Sequence, residues 1–351
     1  MKNNSHIFLA GNDLQMTEQL LSGSGTNSRY ARRLLHWIYR KGVRSFKEIN
    51  DIPSAVLDSV AANFAIGLSN PVDFEISADG SVKYLFNTAD GLTHETVWLP
   101  DGKRSTVCVS VQSGCRMGCR FCATGKNGWG GNLSAGDIVN QVISIPHPVT
   151  HVVMMGMGEP GDNIDEVLKA CRILTAEWGL AVGRNRVTVS TVGVVPSVKR
   201  LLEETECNIT LSLHSPFREE RMEVIPAESR WPFAETLELL KSYDNRRKRR
   251  FTVAYVMIKG KNDSERHLEE LKRLLSGTGI RVNLLPYHAL EGDDASSSGP
   301  EVMMRFKHEL VTSGIGASVR KSRGSDIDAA CGMLAAKRRK QTGRNDKTKN
   351  I

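Results

Sequence analysis

Two short helices are predicted near the start of the chain from the spacing of its apolar residues. In residues 28–42, aromatic and aliphatic side chains recur near one helical face with arginines between them, and Gly42 provides a stop. A second helix is expected around residues 54–63, after the stretch SFKEINDIP. The apolar face of the first helix consists of Tyr30, Leu34, Leu35, Trp37 and Ile38. Residues 1–72 are therefore predicted to form a small helical accessory domain.

The pattern changes to short alternating segments between residues 72 and 111. These segments are separated by Ala-Asp-Gly at residues 89–91 and by Asp-Gly-Lys at residues 101–103. Because Asp-Gly is a strong turn signal between alternating stretches, the pattern predicts successive β-hairpins that lead into the main domain. Cys108 then falls on the first strand of the core.

Strand-like and helix-like stretches alternate along the rest of the chain. We expect strands near residues 151–155, 186–190, 208–213, 251–258, 281–286 and 317–320. Helices are expected between them, for example at residues 135–145, 162–177, 195–204 and 264–275. Such alternation is typical of parallel strands joined by crossover helices. Residues 73–336 are therefore predicted to be an α/β catalytic domain with an N-terminal hairpin extension.

The composition is that of an ordinary globular protein with a basic balance. Of the 351 residues, 40% are hydrophobic and 25% are charged, which argues against disorder and fibrous repeats. The net charge of +8 favours a polyanionic partner such as RNA, although composition alone is weak support. The first residues lack the apolar run of a signal peptide, and no stretch approaches a membrane span. We therefore expect a cytoplasmic protein without a membrane partner.

The basic segments leave two interpretations open. The arginines of the N-terminal helical module either form a solvated polar face or dock RNA. The basic tail at residues 337–351 is expected to be disordered, and it either contacts RNA or is simply a solvated terminus.

Three closely spaced thiols carry the first chemical signal. Cys115, Cys119 and Cys122 have the spacing C-x3-C-x2-C, and residues 123–131 supply neither Cys nor His as a fourth ligand. A structural zinc site needs four ligands, and ordinary electron-transfer clusters are held by four cysteines. We therefore predict a 4Fe-4S cluster with one iron left open to bind a substrate. A zinc site with a distant fourth ligand and a disulfide are the weaker alternatives.

This loop, with Phe121 just before the last Cys, resembles the signature of radical S-adenosylmethionine (SAM) enzymes. The segment HVVMMGMGEP at residues 151–160 follows it by one strand–helix unit and resembles their GEP motif. The resemblance implies that the open iron chelates SAM, and that Gly158 and Glu159 contact it. It also implies a partial, six-stranded (β/α)6 barrel with the active site at the carboxyl ends of its strands.

Small polar residues stand at the expected ends of two further strands. Ser190 ends the stretch RVTVS, and Ser212 and His214 end NITLSLH. In an α/β barrel such groups face the ligand site, although a lone Ser or His there is more often a satisfied structural group. Their repetition on several strands favours a SAM contact.

A second diagnostic stretch is RKSRGSDIDAACG at residues 320–332. A single Cys such as Cys331 is usually an inert buried thiol. Together with TVCVSVQSGC around Cys108, however, the stretch resembles the paired-cysteine signature of the RlmN/Cfr family of RNA adenine methyltransferases. The resemblance extends from the WIY helix to Cys331.

The resemblance implies a role for each matching residue. Cys331 would carry the methyl group, Cys108 would resolve the covalent RNA adduct by forming a disulfide, and Glu95 would accept a proton. His288 in LLPYHA stands where the family usually has Asn, and its imidazole would donate a hydrogen bond to SAM in place of the amide. The cluster would be held by Cys115, Cys119 and Cys122, and SAM by Gly158, Glu159, Ser190, Ser212 and His214.

The family further implies the substrate and the partners. Its members methylate carbon 2 or carbon 8 of an adenosine in large-subunit ribosomal RNA, and some also act on tRNA; carbon 2 is favoured here. An electron donor such as flavodoxin or ferredoxin would supply electrons. Two other classes stay open: a radical SAM oxidoreductase or protein-modifying enzyme, which needs no pair of cysteines, and an iron–sulfur RNA-binding protein that consumes no SAM. The remaining thiols, Cys171 and Cys207, are interpreted as core residues.

Overall fold

The computed structural model describes residues 7–243, 249–290 and 292–335, and its N-terminal part is helical, as expected. The predicted helix at residues 28–42 is composite, because a 3-10 turn (Ser28–Tyr30) precedes its α-helical part and a π-helical turn (Trp37–Lys41) follows it. Gly42 ends it in the left-handed conformation, with φ of +65°. The elements are β1 (Ile7–Phe8), α1 (Leu14–Gly23), α2 (Ala31–His36), α3 (Ser54–Asn63) and β2 (Phe64–Ala65).

This N-terminal part lies directly against the rest of the protein. Its buried side chains belong to the same hydrophobic cluster as those of the main sheet. The backbone of Gly11 approaches Gly136 so closely that a Cβ on Gly11 would lie 2.6 Å from the Gly136 nitrogen. Arg40 Nε donates to the carbonyl of Gly179 at 2.6 Å. The division of the chain at residue 72 remains a prediction, and residues 337–351 lie outside the described residues.

The predicted hairpins are confirmed. Four strands run antiparallel to one another in sequence order. The two predicted Asp-Gly sites form the second and third turns, and the first turn lies at Asp79-Gly80. They are β3 (Asp73–Ile76), β4 (Val82–Asn87), β5 (Thr93–Asp101) and β6 (Arg104–Cys108). Cys108 ends β6, which also pairs in parallel with the next core strand, so the hairpins continue directly into the core.

A small antiparallel ladder encloses the cysteine loop. It consists of β7 (Gln112–Gly114) and β8 (Trp129–Asn132), and the short helix α4 (Ala123–Lys126) lies between them in sequence. Because β7 and β8 are hydrogen-bonded to each other, the segment between them, which contains the loop of residues 115–122, begins and ends at neighbouring positions.

The remaining elements alternate as the sequence predicts. The strands are β9 (His151–Met154), β10 (Val187–Thr191), β11 (Asn208–Ser212), β12 (Phe251–Met257), β13 (Arg281–Pro286) and β14 (Ala317–Val319). The helices are α5 (Ala135–Ile143), α6 (Ile164–Thr175), α7 (Val195–Glu204), α8 (Arg218–Val224), α9 (Phe233–Ser242), α10 (Glu265–Leu275) and α11 (Pro300–Thr312).

Among the described residues, ten strands form one open sheet. The order is β14-β13-β12-β11-β10-β9-β6-β5-β4-β3, and β6 and β9 to β14 are parallel. Sequential parallel strands with crossover helices confirm the predicted α/β fold. The six parallel strands β6 and β9 to β13 are extended at the edge by the three-residue strand β14. Within the described residues no helix combines the length and the apolar character that crossing a membrane requires.

One face of the parallel sheet is covered by helices, and the other is partly open. Residues on the covered face, such as Val152, Val187 and Val253, are fully buried with apolar helix residues. Alternating positions on the opposite face are more polar and only partly buried, as at Thr188 and Asn283. We call this second face, which carries Cys108, the open face.

Candidate active site

Two glycines give the cysteine loop its shape. Gly114 has φ of +84°, and a Cβ there would lie 2.0 Å from the carbonyl oxygen of Gly128, so only glycine fits. Gly118 also has a positive φ, of +64°. The backbone N–H of Cys115 donates to the same Gly128 oxygen at 2.8 Å. The loop therefore folds back on β8 and turns its three thiols toward one another.

The three thiols share one partly enclosed environment. Burial raises the pKa of Cys115 to about 12, and the nearby Glu159 and Cys122 also raise it. Burial likewise raises the pKa of Cys119, and Cys122 and Cys115 add to the effect. Such thiols stay protonated until a metal replaces the proton.

The donor set fits a multi-iron cluster better than a single ion. In the described part of the chain, no three His, Cys, Asp or Glu side chains converge closely enough to hold one metal ion. Three sulfur donors on one loop, each within electrostatic range of the others, match the three protein ligands of a cluster with one open iron.

The turn after β9 is held by the carboxylate of Glu159, which is almost fully buried. Its Oε1 accepts from the N–H of Gly161 at 2.8 Å and from Thr191 Oγ1 at 2.5 Å, and its Oε2 accepts from the N–H of Val192 at 2.9 Å. The preceding Gly158 has φ of +97° and approaches Gln112 so closely that no Cβ fits. Because a carboxylate offers about four acceptor positions, one position on Oε2 is left for a ligand donor.

The polar residues at the ends of β10 and β11 lie where the sequence predicts. Ser190 and Ser212 are partly buried, and each lies at or next to the last residue of its strand. His214 follows β11 in the left-handed conformation, with φ of +57°. Its Nδ1 accepts from the N–H of Val256 at 2.9 Å, and its ring meets Phe121 edge-on at 4.6 Å.

His214 is a neutral donor in this position. Burial lowers its pKa to about 3, and the positive charge of Arg221 acts in the same direction. Because Nδ1 is an acceptor, the remaining proton is on Nε2. His214 therefore offers one N–H donor next to the cysteine loop.

Arg221 is a buried residue next to the candidate site that sequence reasoning missed. Its side chain is fully buried and forms an ion pair with Glu228, which is also fully buried. Its guanidinium donates to the carbonyls of Val192 at 2.7 Å, Ser212 at 2.8 Å and Leu213 at 3.0 Å. It thus ties together the ends of β10 and β11. Nothing in the sequence distinguishes it, because REERMEV is an ordinary charged helix.

The C-terminal segment brings Cys331 to the cysteine loop. The N–H of Ala123 donates to the carbonyl of Gly332 at 2.6 Å, and Thr124 Oγ1 donates to the carbonyl of Leu334 at 2.7 Å. Cys331 is exposed and lies within electrostatic range of Cys122. Residues that are about 210 positions apart in sequence are therefore neighbours.

Cys108 lies close to Cys331. Burial raises the pKa of the Cys108 thiol, and the Cys331 thiol next to it raises it further. Both are free thiols, so the disulfide expected between them is not formed in this structure. Cys171 and Cys207 are both buried, in agreement with their interpretation as core residues.

Glu95 and His288 each contact the C-terminal part of the chain. Glu95 is buried on β5, lies 3.4 Å from Lys83 Nζ, and accepts from the N–H of Ala335 at 2.9 Å. His288 follows β13, and its Nε2 lies 2.9 Å from Ser322 Oγ. Both residues therefore border the segment that carries Cys331.

Comparison with known proteins agrees with this geometry. Residues 109–274 match the model of the Radical SAM superfamily. "Probable dual-specificity RNA methyltransferase RlmN" of Bacteroides fragilis is 41% identical over 339 residues, which cover 96% of this chain and 98% of the relative. The protein of the same name from Thermus thermophilus is 40% identical, over 92% of this chain and 93% of that one.

A solved structure is similarly close. The crystal structure of a radical SAM methyltransferase from Sphaerobacter thermophilus has a TM-score of 0.88 and 38% sequence identity, and the match covers 94% of this chain and 100% of that one. Similarity at this level over nearly the full length confirms the resemblance seen in the motifs. The chain belongs to the RlmN/Cfr family of radical SAM methyltransferases.

Proposed function

We propose that this protein methylates carbon 2 of an adenosine in 23S ribosomal RNA and in tRNA through an S-methylcysteine at Cys331. The observation that carries the proposal is the pair of free thiols, Cys108 and Cys331, next to a loop with three further thiols. An enzyme that only cleaves SAM to make a radical needs the three thiols of the loop but has no use for the pair formed by Cys108 and Cys331. The names of the relatives support RNA as the substrate.

The ligand sites follow from the donors at the strand ends. Cys115, Cys119 and Cys122 would hold the 4Fe-4S cluster. The SAM site would be formed by Gly158, Glu159, Ser190, Ser212 and His214, with His288 at its border. The chemistry that a bound cluster and SAM supply is a reductive cleavage that generates a 5′-deoxyadenosyl radical. The chain contributes the free acceptor position of Glu159 and the Nε2–H of His214 as fixed polar contacts.

Cys331 would act as the carrier of the methyl group. Its thiolate attacks the methyl carbon of one SAM molecule, so that a sulfur–carbon bond forms and the sulfonium–carbon bond breaks. The exposure of Cys331 suits a group that must meet both SAM and RNA. The bond from the N–H of Ala123 to the carbonyl of the next residue, Gly332, would keep Cys331 beside the radical source.

Glu95 and Cys108 would complete the reaction. The radical would take one hydrogen atom from the S-methyl group of Cys331, and the resulting methylene carbon would add to the adenine ring. The adduct would then return the one electron spent in SAM cleavage, and Glu95 would take the proton from the ring carbon, with Lys83 stabilising the carboxylate. The Cys108 thiolate then attacks the sulfur of Cys331. A sulfur–sulfur bond forms, the carbon–sulfur bond breaks, and the carbon takes up a proton to become the methyl group. A donor such as flavodoxin or ferredoxin would supply electrons, including the two that restore the thiols.

We further propose that the N-terminal module, residues 1–72, docks the RNA. The buried residues of α2 face the protein, and Arg32 and Arg33 on the same helix are exposed. This arrangement suits contact with phosphates. The cytoplasm, where ribosomal RNA and tRNA are found, is the expected location.

Mass spectrometry of the RNA product tests the function. Anaerobically reconstituted protein is incubated with SAM, a reductant and unmodified ribosomal RNA or tRNA, and the nuclease digest is compared with authentic 2-methyladenosine and 8-methyladenosine. Finding 2-methyladenosine supports the proposal, and finding only 8-methyladenosine assigns the Cfr-type reaction instead. Cleavage of SAM without either product would favour an oxidoreductase or a protein-modifying enzyme.

Two cysteine variants test the mechanism. Cys108→Ala should keep its iron and accumulate a covalent protein–RNA adduct, because no thiol remains to release the RNA. Cys171→Ala is the matched control, since Cys171 is equally a buried thiol but packs in the core away from the cysteine loop, and it should turn over without an adduct. Normal turnover of Cys108→Ala would rule out the resolving role.

A further inference from the structure

The open face of the sheet carries an unusual group of arginines at the end opposite Cys108. On β6, Arg104, Thr106 and Cys108 alternate onto the same face, and Arg104 Nε donates to Thr106 Oγ1 at 3.1 Å. The four residue steps from Arg104 to Cys108 span about 13 Å at the usual rise of a strand. The same face therefore has a thiol of the candidate active site at one end and a cation at the other.

Two more arginines lie just before strands of this sheet, at the same end as Arg104. Val152 pairs with Val187, and both are buried on the helix-covered face, so His151 on β9 lies on the open face. Arg186 ends the 3-10 turn just before β10 and lies within electrostatic range of His151. Thr252 pairs with Thr210 of β11, which in turn pairs with Ser190 of β10, so Thr252 lies on the open face. Arg250 stands two residues before Thr252, just before the start of the same strand. Arg186 and Arg250 are both exposed.

These charges lie within range of one another. Burial lowers the pKa of Arg104, and the positive charges of Arg320 and Arg250 lower it further. Burial also lowers the pKa of His151, with Arg104, Arg186 and Arg250 acting in the same direction. The pKa shifts of Arg104 on β6 and His151 on β9 therefore have a common cause besides burial, which is the same group of neighbouring arginines.

The cluster lacks matching carboxylates. Among the described residues, none of Arg104, Arg186, Arg250 and Arg320 forms an ion pair. Asp101 attracts Arg104 and offsets part of the effect of the neighbouring arginines, but its carboxylate is already paired with Arg323 at 3.1 Å. Four neighbouring cations with one shared carboxylate are typical of a surface that binds an anion.

Arg320 connects this cluster to the reactive end. It is held by a bond from its backbone N–H to the carbonyl of Leu284 at 2.8 Å, just after β14. It lies within electrostatic range of both Arg104 and Cys331. Positive charge therefore continues along the open face from the methyl-carrying thiol to the amino ends of the strands.

We infer that Arg104, Arg186, Arg250 and Arg320 form a phosphate-binding track on the open face, which holds the RNA backbone next to the adenosine presented to Cys331. The inference rests on the proposed function and names the part of the RNA that this face binds. Guanidinium groups bind phosphate oxygens through paired N–H donors, and exposed arginines without carboxylate partners are free to do so. An acidic electron-donor protein is the competing occupant, and the experiment separates the two.

The test measures RNA binding directly, with the variant R104Q/R250Q in the reconstituted protein. The probe is a short fluorescein-labelled single-stranded RNA with a single adenosine, followed by anisotropy over a range of KCl concentrations. For single strands, each phosphate contact contributes about 0.7 to the salt slope, so the slope should fall by about 1.4. At about 0.1 M salt each contact is then worth about fivefold, and the dissociation constant should rise about 25-fold.

Matched charge removal on the helix-covered side provides the control. Lys199 on α7 and Lys307 on α11 are outside the open face, and K199Q/K307Q should bind the RNA like wild type. As a check of folding, R104Q/R250Q should still transfer a methyl group from SAM to Cys331 without RNA, measured by mass spectrometry of the protein.

The outcomes are distinct. An unchanged affinity and salt slope in R104Q/R250Q, or an equal loss in K199Q/K307Q, would overturn the inference. So would normal RNA binding combined with a defect seen only when a protein donor replaces dithionite, because that result assigns the face to the electron donor. If wild-type protein methylates neither Cys331 nor RNA, the proposed function itself has failed, whatever the binding result.

Discussion

Replacing Arg221 should destabilise the protein more than any substitution of an exposed arginine. In Arg221→Met, the buried carboxylate of Glu228 loses its closest cation and keeps only Arg218, whose Nε lies 3.9 Å away. Three backbone carbonyls also lose a donor, although that of Leu213 keeps the N–H of Ser215. Removing one partner of a buried ion pair typically costs about 3–5 kcal/mol. Lost hydrogen bonds to carbonyls add about 1 kcal/mol each when water cannot replace the donor. We therefore expect a loss of at least about 4 kcal/mol in the free energy of unfolding.

The size of this effect comes from burial, and the chain offers a control that isolates it. Arg200 also pairs with two carboxylates, Glu204 at 2.7 Å and Asp165 at 2.6 Å, but its side chain is 39% exposed. Exposed pairs contribute about 0–1 kcal/mol, so Arg200→Met should be nearly neutral. In the double variant R221M/E228M the unpaired carboxylate is gone, and part of the loss should be recovered.

Urea unfolding of the purified protein, followed by tryptophan fluorescence, measures these differences through the midpoint and the slope. The expected order of stability is wild type and Arg200→Met together, then R221M/E228M, then Arg221→Met. If Arg221→Met costs no more than Arg200→Met, the buried pair is not what holds the ends of β10 and β11 together. If the double variant is no more stable than Arg221→Met, the unpaired carboxylate is not the main cost.

Three further predictions address the loop, the turn and an isolated histidine. Gly114→Ala should lose bound iron after reconstitution, measured by iron analysis, because its Cβ would collide with the Gly128 oxygen at 2.0 Å. Glu159→Gln should raise the KM for SAM and lower the melting temperature. The NH2 group of the new amide would face the N–H of Val192, so two donors would meet where the carboxylate oxygen now accepts a hydrogen bond. His94 is buried with no hydrogen-bond partner for either nitrogen among the described residues, and burial lowers its pKa to about 4. Between about pH 6.5 and pH 4 the unfolded chain therefore binds a proton that the folded protein excludes, so the free energy of unfolding decreases as the pH is lowered through this window. His94→Leu should reduce the difference between the urea midpoints measured at pH 7.5 and at pH 5.

The elements of the fold were predictable because their patterns are local. Alternation between Asp-Gly turns predicts β4 to β6, and the apolar strands with intervening amphipathic helices predict the parallel sheet. The composite helix at residues 28–41 was not foreseen in detail, since the switch from 3-10 to α to π geometry depends on packing that propensity does not encode. The candidate cluster ligands were equally local, because three thiols within eight residues carry their own signal.

The parts of the site that sequence reasoning missed depend on contacts between distant backbone groups. Arg221 donates to carbonyls of Val192, Ser212 and Leu213, and a carbonyl leaves no mark on the sequence because every residue has one. The same holds for Cys331, which reaches the cysteine loop through the carbonyl of Gly332. Resemblance to a family suggested that these cysteines act together, but the backbone bonds explain how a segment near the C-terminus is held there. Any variant that disrupts those bonds should separate Cys331 from the cysteine loop while leaving Cys331, Cys108 and the three loop thiols in place.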